Sequence, residues 1–514
     1  MKSLSKKLAV NISSNWLSML CSGIIELITV PVALHALGMT GYGVWALLAF
    51  GLSYLTILEA AFALTVNRFS AYYKDDHAER NRHISVSFFG LTGFAILGMA
   101  AGLAVSGYIP RLFPSIPPEF AAQAKVTFIL VVYTLAAKMV ESTFSGVLTG
   151  NLCHARANIV RISASFLRLV LMVVGLKYWP TIISVQVAFA VAVTLQAILM
   201  YFVMKKSVPG IVLSLGLVTL ASAKKFTSYV IHSITRSGSR VFMETTLVLM
   251  VGVYGKASDV AIYNVASRLP GLLQSLLACV QNVFLPVATT FAAKGQIQGL
   301  HSVVRRGTAF CAALTGITAI WLYAFAQPLL SFWLRKAPSA DEIAVMRVVL
   351  LALISGGIFE LWLPVLVAMG RLKWLSISAI AASVAGLALN YLLLRYRLVP
   401  MAIAPAIALL TVWILKTGIW LPLYGTYELK LGRWDYFSGS LGLPVLAALV
   451  AIPLAWLTKF LPVGGLIWQV LVMGVTGVAI TIVFTLIALR KELMQAVSSI
   501  RHRNQEKQLE SSRC

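Results

Sequence analysis

His232, Arg236, Arg240 and Glu244 recur every fourth residue within a stretch that otherwise has the composition of a membrane-spanning helix. A helix turns once per 3.6 residues, so this spacing places all four side chains on one stripe. A charged group near the bilayer centre costs at least ~2.5–3.5 kcal/mol on insertion scales, so such a stripe must face protein or a water-filled cavity. Two arginines on it suit an anion, because the planar guanidinium offers paired donors that match phosphate oxygens. Measured from the start of its span at 1.5 Å per residue, the stripe reaches the middle of the membrane. Arg268 in the next span reaches a similar depth from the opposite side. Arg68 and Arg168 are further cationic candidates, while Glu26, Glu141 and Glu244 are the acids that could couple transport to an ion or pair with a base. Lys138 lies three residues before Glu141 and is expected to pair with it locally, as Glu244 could with Arg240.

The elements that must position these residues follow from composition. The chain has 514 residues, 59% hydrophobic and 11% charged, with a formal charge of +25. Soluble domains carry roughly 25% charged residues, so most of this chain belongs in lipid. A 20-residue apolar ruler gives about fourteen spans, near 9–36, 42–64, 84–108, 123–149, 159–178, 181–204, 226–253, 258–291, 307–333, 344–369, 374–394, 400–424, 441–458 and 466–489. One alternating set of loops holds most of the lysines and arginines, including Lys6, Lys7, Lys74, Lys205, Lys206, Lys224, Lys225, Arg371 and Lys373. By the positive-inside rule that set is cytoplasmic, as are both termini. The same rule accounts for the net charge, and no nucleic-acid partner is expected.

An offset of roughly 218 residues carries Lys6 and Lys7 onto Lys224 and Lys225, and Glu26 onto Glu244. Two parallel six-helix repeats would produce this echo, with a substrate site between them near mid-depth. The expected organisation is an N-terminal lobe at 1–206, a cytoplasmic linker at 207–225 with a helix lying on the membrane surface, and a second lobe at 226–424. Two additional spans at 425–489 and a basic cytoplasmic tail at 490–514 complete it. No G-x-x-x-x-G-K-[ST] loop occurs, and neither paired carboxylates nor His/Cys clusters have site spacing, so no enzymatic activity, metal or cofactor is expected.

Asn15-Trp16 with Pro31, then Leu37-Gly38 and Gly41-Tyr42-Gly43-Val44-Trp45, then Tyr263-Asn264-Val265-Ala266-Ser267-Arg268-Leu269 with Pro286, form a recognisable set. With the topology, the chain resembles the polysaccharide (lipid-linked oligosaccharide) flippases of the multidrug/oligosaccharidyl-lipid/polysaccharide exporter superfamily over most of 8–425. The resemblance implies an all-α membrane protein whose two six-helix lobes form a V around a central cationic cavity. It implies transport of an undecaprenyl-pyrophosphate-linked oligosaccharide from the cytoplasmic to the outer leaflet of a bacterial inner membrane. Surface polysaccharides such as O-antigen or exopolysaccharide would follow, with membrane lipids, a polysaccharide polymerase and glycosyltransferases as partners. The cavity positions carried over are Arg236, Arg240 and Arg268, then Arg68 and Arg168. A cation-coupled multidrug exporter of the same superfamily is the alternative, disfavoured by the surplus of arginine.

Overall fold

The computed structural model describes residues 2–457 except 52, together with scattered positions between 468 and 483. Among these residues every element is helical, and nine helices are long and apolar enough to cross a membrane. The expected span at 466–489 and the tail at 490–514 lie largely or wholly outside the described residues.

The first compact unit comprises Met1–Val265 and Leu387–Pro405. Its helices are α1 (Lys2–Gly51), α2 (Leu55–Tyr72), α3 (His77–Ser106), α4 (Ile109–Leu112), α5 (Ala121–Gly150), α6 (His154–Tyr178), α7 (Ile182–Ser207), α8 (Leu220–Tyr254) and nearly all of α9 (Ala257–Ala266). Helix α1 contains two expected spans divided at Gly38, whose φ of 69° and ψ of 173° are not helical. Only a residue without a side chain takes that conformation readily, so the glycine marks the turn between spans. The second span breaks again at Ser53–Tyr54 before α2 resumes, a discontinuity not expected from the sequence. The expected span 258–291 is also broken, at Ser267, so Arg268 opens a new helix instead of lying within a continuous one.

The segment after α7 differs from expectation. In place of a surface helix, the chain turns at Pro209–Gly210 and continues without helix to Ser214 along the start of α3, to which it is tied. Arg80 and Asn81 donate to the carbonyls of Pro209 and Gly210, and Ser85 to that of Val212. Val208 and Ile211 of this strap are buried. Proline and glycine at 209–210 disfavour helix there, and backbone groups denied helical partners take side-chain partners. Thr219 then caps α8.

The second unit comprises Ala266–Gly386 and Ala406–Cys514. Its described helices are α10 (Arg268–Ala293), α11 (Ile297–Cys311), α12 (Ile317–Ala324), α13 (Ala326–Leu334), α14 (Ala340–Ser355), α15 (Trp362–Ala368), most of α16 (Leu372–Arg395) and of α17 (Ala404–Val412), α18 (Leu421–Glu428) and α19 (Arg433–Leu457). Two of its long rods contain wider π-helical turns, at Ala312–Gly316 and Trp413–Trp420. Contact density therefore groups α8 with the N-terminal helices, whereas the sequence repeat places it at the head of the second lobe. The second core centres on fully buried Trp362 and Tyr436. Trp362 Nε1 donates to the Tyr436 hydroxyl at 2.9 Å, and that hydroxyl also bonds Thr308 at 3.0 Å.

Candidate functional site

Helix α8 runs unbroken through the charged stripe, so His232, Arg236, Arg240 and Glu244 share one face as their spacing requires. The Arg240 Nε donates to a Glu244 carboxylate oxygen at 2.9 Å. Both side chains are well exposed, at 45% and 37%. The side chains of His232 and Arg236 lie outside the described residues.

Along its length α8 packs antiparallel against the second span. Ile57 lies against Gly238, Leu47 against Gly252, and the Tyr54 hydroxyl bonds Thr246 at 2.8 Å. Beyond α8 the seam continues onto α9. There the Gly43 backbone approaches the Ala257 carbonyl, and Tyr42 donates to Asn264 at 2.7 Å. At the other end the Arg68 guanidinium sits 4.3 Å from the Tyr229 ring centroid, and Lys225 donates to the Tyr73 hydroxyl at 2.6 Å. Arg68 is thus engaged in a cation–π contact at the end of this seam.

A second polar line follows α1 and α6, which run parallel. Asn11 donates to the Leu152 carbonyl, and Asn158 to Asn15 at 2.6 Å. Further along, Arg168 donates to Glu26 at 2.6 Å while stacking 4.5 Å from the Phe189 ring centroid. Arg168 is only 16% exposed, and charge pairing with a carboxylate is what makes such burial tolerable.

Glu141 is 3% exposed. Lys138 does not pair with it as the i, i+3 spacing suggested. Its Nζ instead lies 3.6 Å from Glu59 on α2, because helix packing brings that carboxylate to the ammonium. Glu141 receives a hydrogen bond from Gln196 and the electrostatic attraction of Arg161, while its Oε1 has no hydrogen-bond partner. Arg161 also bonds Ser145 and Asn158. The sequence reading missed Arg161; its position two helical turns before Arg168 on α6 was the available signal.

Of the proposed cavity residues, Arg168 and Arg240 therefore each contact a carboxylate and Arg68 an aromatic face. Arg268 is half-buried at the first turn of α10. The inter-helix polar contacts inside the first unit give this region the character of a paired polar interior. No cluster of three or more potential metal ligands occurs among the described residues.

A family model described as MatE matches residues 237–392. The membrane protein EpsK of Bacillus subtilis (strain 168) is 22% identical over 460 residues, covering 87% of this chain and 88% of its own. Among solved structures, the lipid II flippase MurJ in an inward closed conformation is similar with a TM-score of 0.69 at 16% identity. That similarity covers 94% of this chain and 100% of the flippase. An inward-facing multidrug resistance MATE family transporter of the MOP superfamily gives 0.66 at 14% identity, covering 80% and 94% respectively.

Proposed function

We propose that the chain is a member of the multidrug/oligosaccharidyl-lipid/polysaccharide exporter superfamily and that it flips an undecaprenyl-pyrophosphate-linked oligosaccharide between leaflets of a bacterial inner membrane. The observation that carries this reading is the extent of the similarity. The MATE-type fold accounts for 80% of the chain, whereas the lipid II flippase fold accounts for 94%. The difference is of the size of the segment 425–489, which on the sequence expectation holds two spans beyond a twelve-helix transporter. A protein that moves a polyprenyl-linked cargo has a use for extra helices beside the lobes, since the lipid tail needs apolar surface while the headgroup crosses.

In this reading the lobes at 1–206 and 226–424 rock about the 207–225 connection, and both termini face the cytoplasm. Arg236, Arg240 and Arg268 hold the pyrophosphate, with Arg68 and Arg168 supporting. Glu244 competes with the cargo for Arg240, so cargo entry exchanges one anion for another at that guanidinium. Glu141, Glu26 and Glu244 are the groups available to carry a coupling ion. Polymerase and glycosyltransferases would act on the same lipid before and after it moves.

Arg240→Ala with Arg268→Ala should abolish surface glycan in a strain dependent on this chain, at unchanged protein abundance, with the Lys versions partly restoring it. Normal glycan display in the double alanine strain would overturn the anion-binding assignment. The pairing of Arg168 and Arg240 with carboxylates favours a second reading, export of a soluble organic cation coupled to protons or sodium. Drug efflux without glycan loss in a deletion strain would select it.

A further inference from the structure

The second unit has a cavity that plays no part in the seam or polar line described above. It has a volume of about 480 Å³ and is lined by Arg371, Thr426, Tyr427, Glu428, Lys430, Leu431 and Arg433. That volume falls in the range of small-ligand sites, about 300–1,000 Å³. Three cations face a single carboxylate. Glu428 is already held, its Oε2 accepting from Arg371 Nε at 2.9 Å, and this contact orients the guanidinium.

Two helices end at the rim. The chain leaves α15 through Gly370, where Arg371 N–H bonds the Leu366 carbonyl. It leaves α18 through Lys430, where Leu431 N–H bonds the Thr426 carbonyl. Basic residues after helix C-termini offset the helix dipole, which accounts for some of the charge. These chain reversals satisfy end carbonyls, and neither Lys430 nor Arg433 makes an ion pair or side-chain hydrogen bond among the described residues. Their charge exceeds what the helix ends require.

The surroundings indicate where this charge sits. Tyr427 is 75% exposed and Trp434 83%, with Trp374 also exposed nearby in sequence to Arg371. Amphipathic rings left outside a membrane protein lie at headgroup level. The loops concerned belong to the basic, cytoplasmic set, so this placement rests on the orientation used above. We propose that this cavity binds the phosphate of a lipid headgroup in the cytoplasmic leaflet, with Arg371, Lys430 and Arg433 as donors and Tyr427 and Trp434 against the glycerol and first acyl carbons. The phosphate could be that of a bulk anionic phospholipid or that of a polyprenyl pyrophosphate.

The test uses the full-length protein in detergent, titrated with phosphatidylglycerol, phosphatidylcholine or a polyprenyl pyrophosphate and read by native mass spectrometry. Lys430→Gln/Arg433→Gln alters two exposed side chains and leaves the Arg371–Glu428 contact intact. Each cation near a lipid surface contributes enough that removing two should weaken binding of the anionic lipid roughly 10–30-fold. Phosphatidylcholine should bind weakly to both proteins. The anionic lipid whose binding the variant loses identifies the occupant, a bulk lipid if phosphatidylglycerol and the cargo if the pyrophosphate; either loss supports the site. Equal binding of phosphatidylglycerol and phosphatidylcholine by wild type, or no loss of either anionic lipid in the variant, overturns it. Because binding is read apart from translocation, a failed flippase assignment leaves this measurement interpretable.

Discussion

Gly43→Ala offers a direct measure of how tightly the second span meets α9. A Cβ at Gly43 would lie 1.9 Å from the Ala257 carbonyl oxygen and 3.3 Å from the Ala261 Cβ. Ordinary contact begins near 3.4 Å, so the backbones must separate by about 1.5 Å, roughly one helical residue's rise. The obstruction is backbone at the first turn of α9 and cannot rotate away. Overpacking of this kind costs about 1–3 kcal/mol, offset by up to ~1 kcal/mol from the better helix propensity of alanine. A net loss of about 1–2 kcal/mol should lower the midpoint of thermal unfolding in detergent by a few degrees. Gly93→Ala is the control, because nothing lies within 4 Å of its Cβ position and only the propensity gain remains. Intrinsic fluorescence or light scattering against temperature would rank the two. A Gly43→Ala midpoint equal to or above that of Gly93→Ala would refute the close approach.

Three further outcomes are expected. Gly38→Ala should cost about 1–2 kcal/mol through its positive φ alone, since a Cβ there meets nothing within 4 Å, and the same thermal assay would read it. Arg168→Gln should destabilise by up to ~3 kcal/mol by leaving Glu26 without its cation, whereas Glu26→Gln/Arg168→Gln should recover most of that, a coupling measurable by a double-mutant cycle. Tyr436→Phe removes the hydroxyl shared by Trp362 and Thr308 in a fully buried site. Leaving the indole N–H without an acceptor should cost about 1–3 kcal/mol, visible as a lower unfolding midpoint.

The all-helical class and the unbroken stripe on α8 were legible because they depend on local quantities, namely apolar length and a 3.6-residue period. The turn at Gly38 was legible for the same reason, falling in the gap expected between the first two spans. What escaped was set by packing. The break at Ser53–Tyr54 has no proline beside it, and that at Ser267 is signalled only by Pro270 in the first turn of α10. Lys138 turns to a carboxylate 79 positions away in preference to one three positions away, which spacing on a single helix cannot reveal. The strap at 208–214 looked suited to a surface helix by composition, yet its partners Arg80, Asn81 and Ser85 lie more than a hundred residues earlier. The cationic cavity likewise joins Arg371 to residues 426–433, and no local motif links them.

The eight residues Trp413–Trp420 wind with a π pitch between regular turns on either side. A widened turn accommodates an additional residue without shifting the rod's two ends, so α17 and α18 keep a common facial register. Deleting one residue from this stretch would restore ordinary winding and leave everything from Leu421 onward on its present faces, whereas the same deletion from a rod without widened turns would swing it by about 100° around the axis. Buried Leu421, Pro422 and Thr426 would stay inside, and Tyr427 would keep the rim it now occupies. The slack coil thus stores a spare residue that the rod can lose without changing what either end faces.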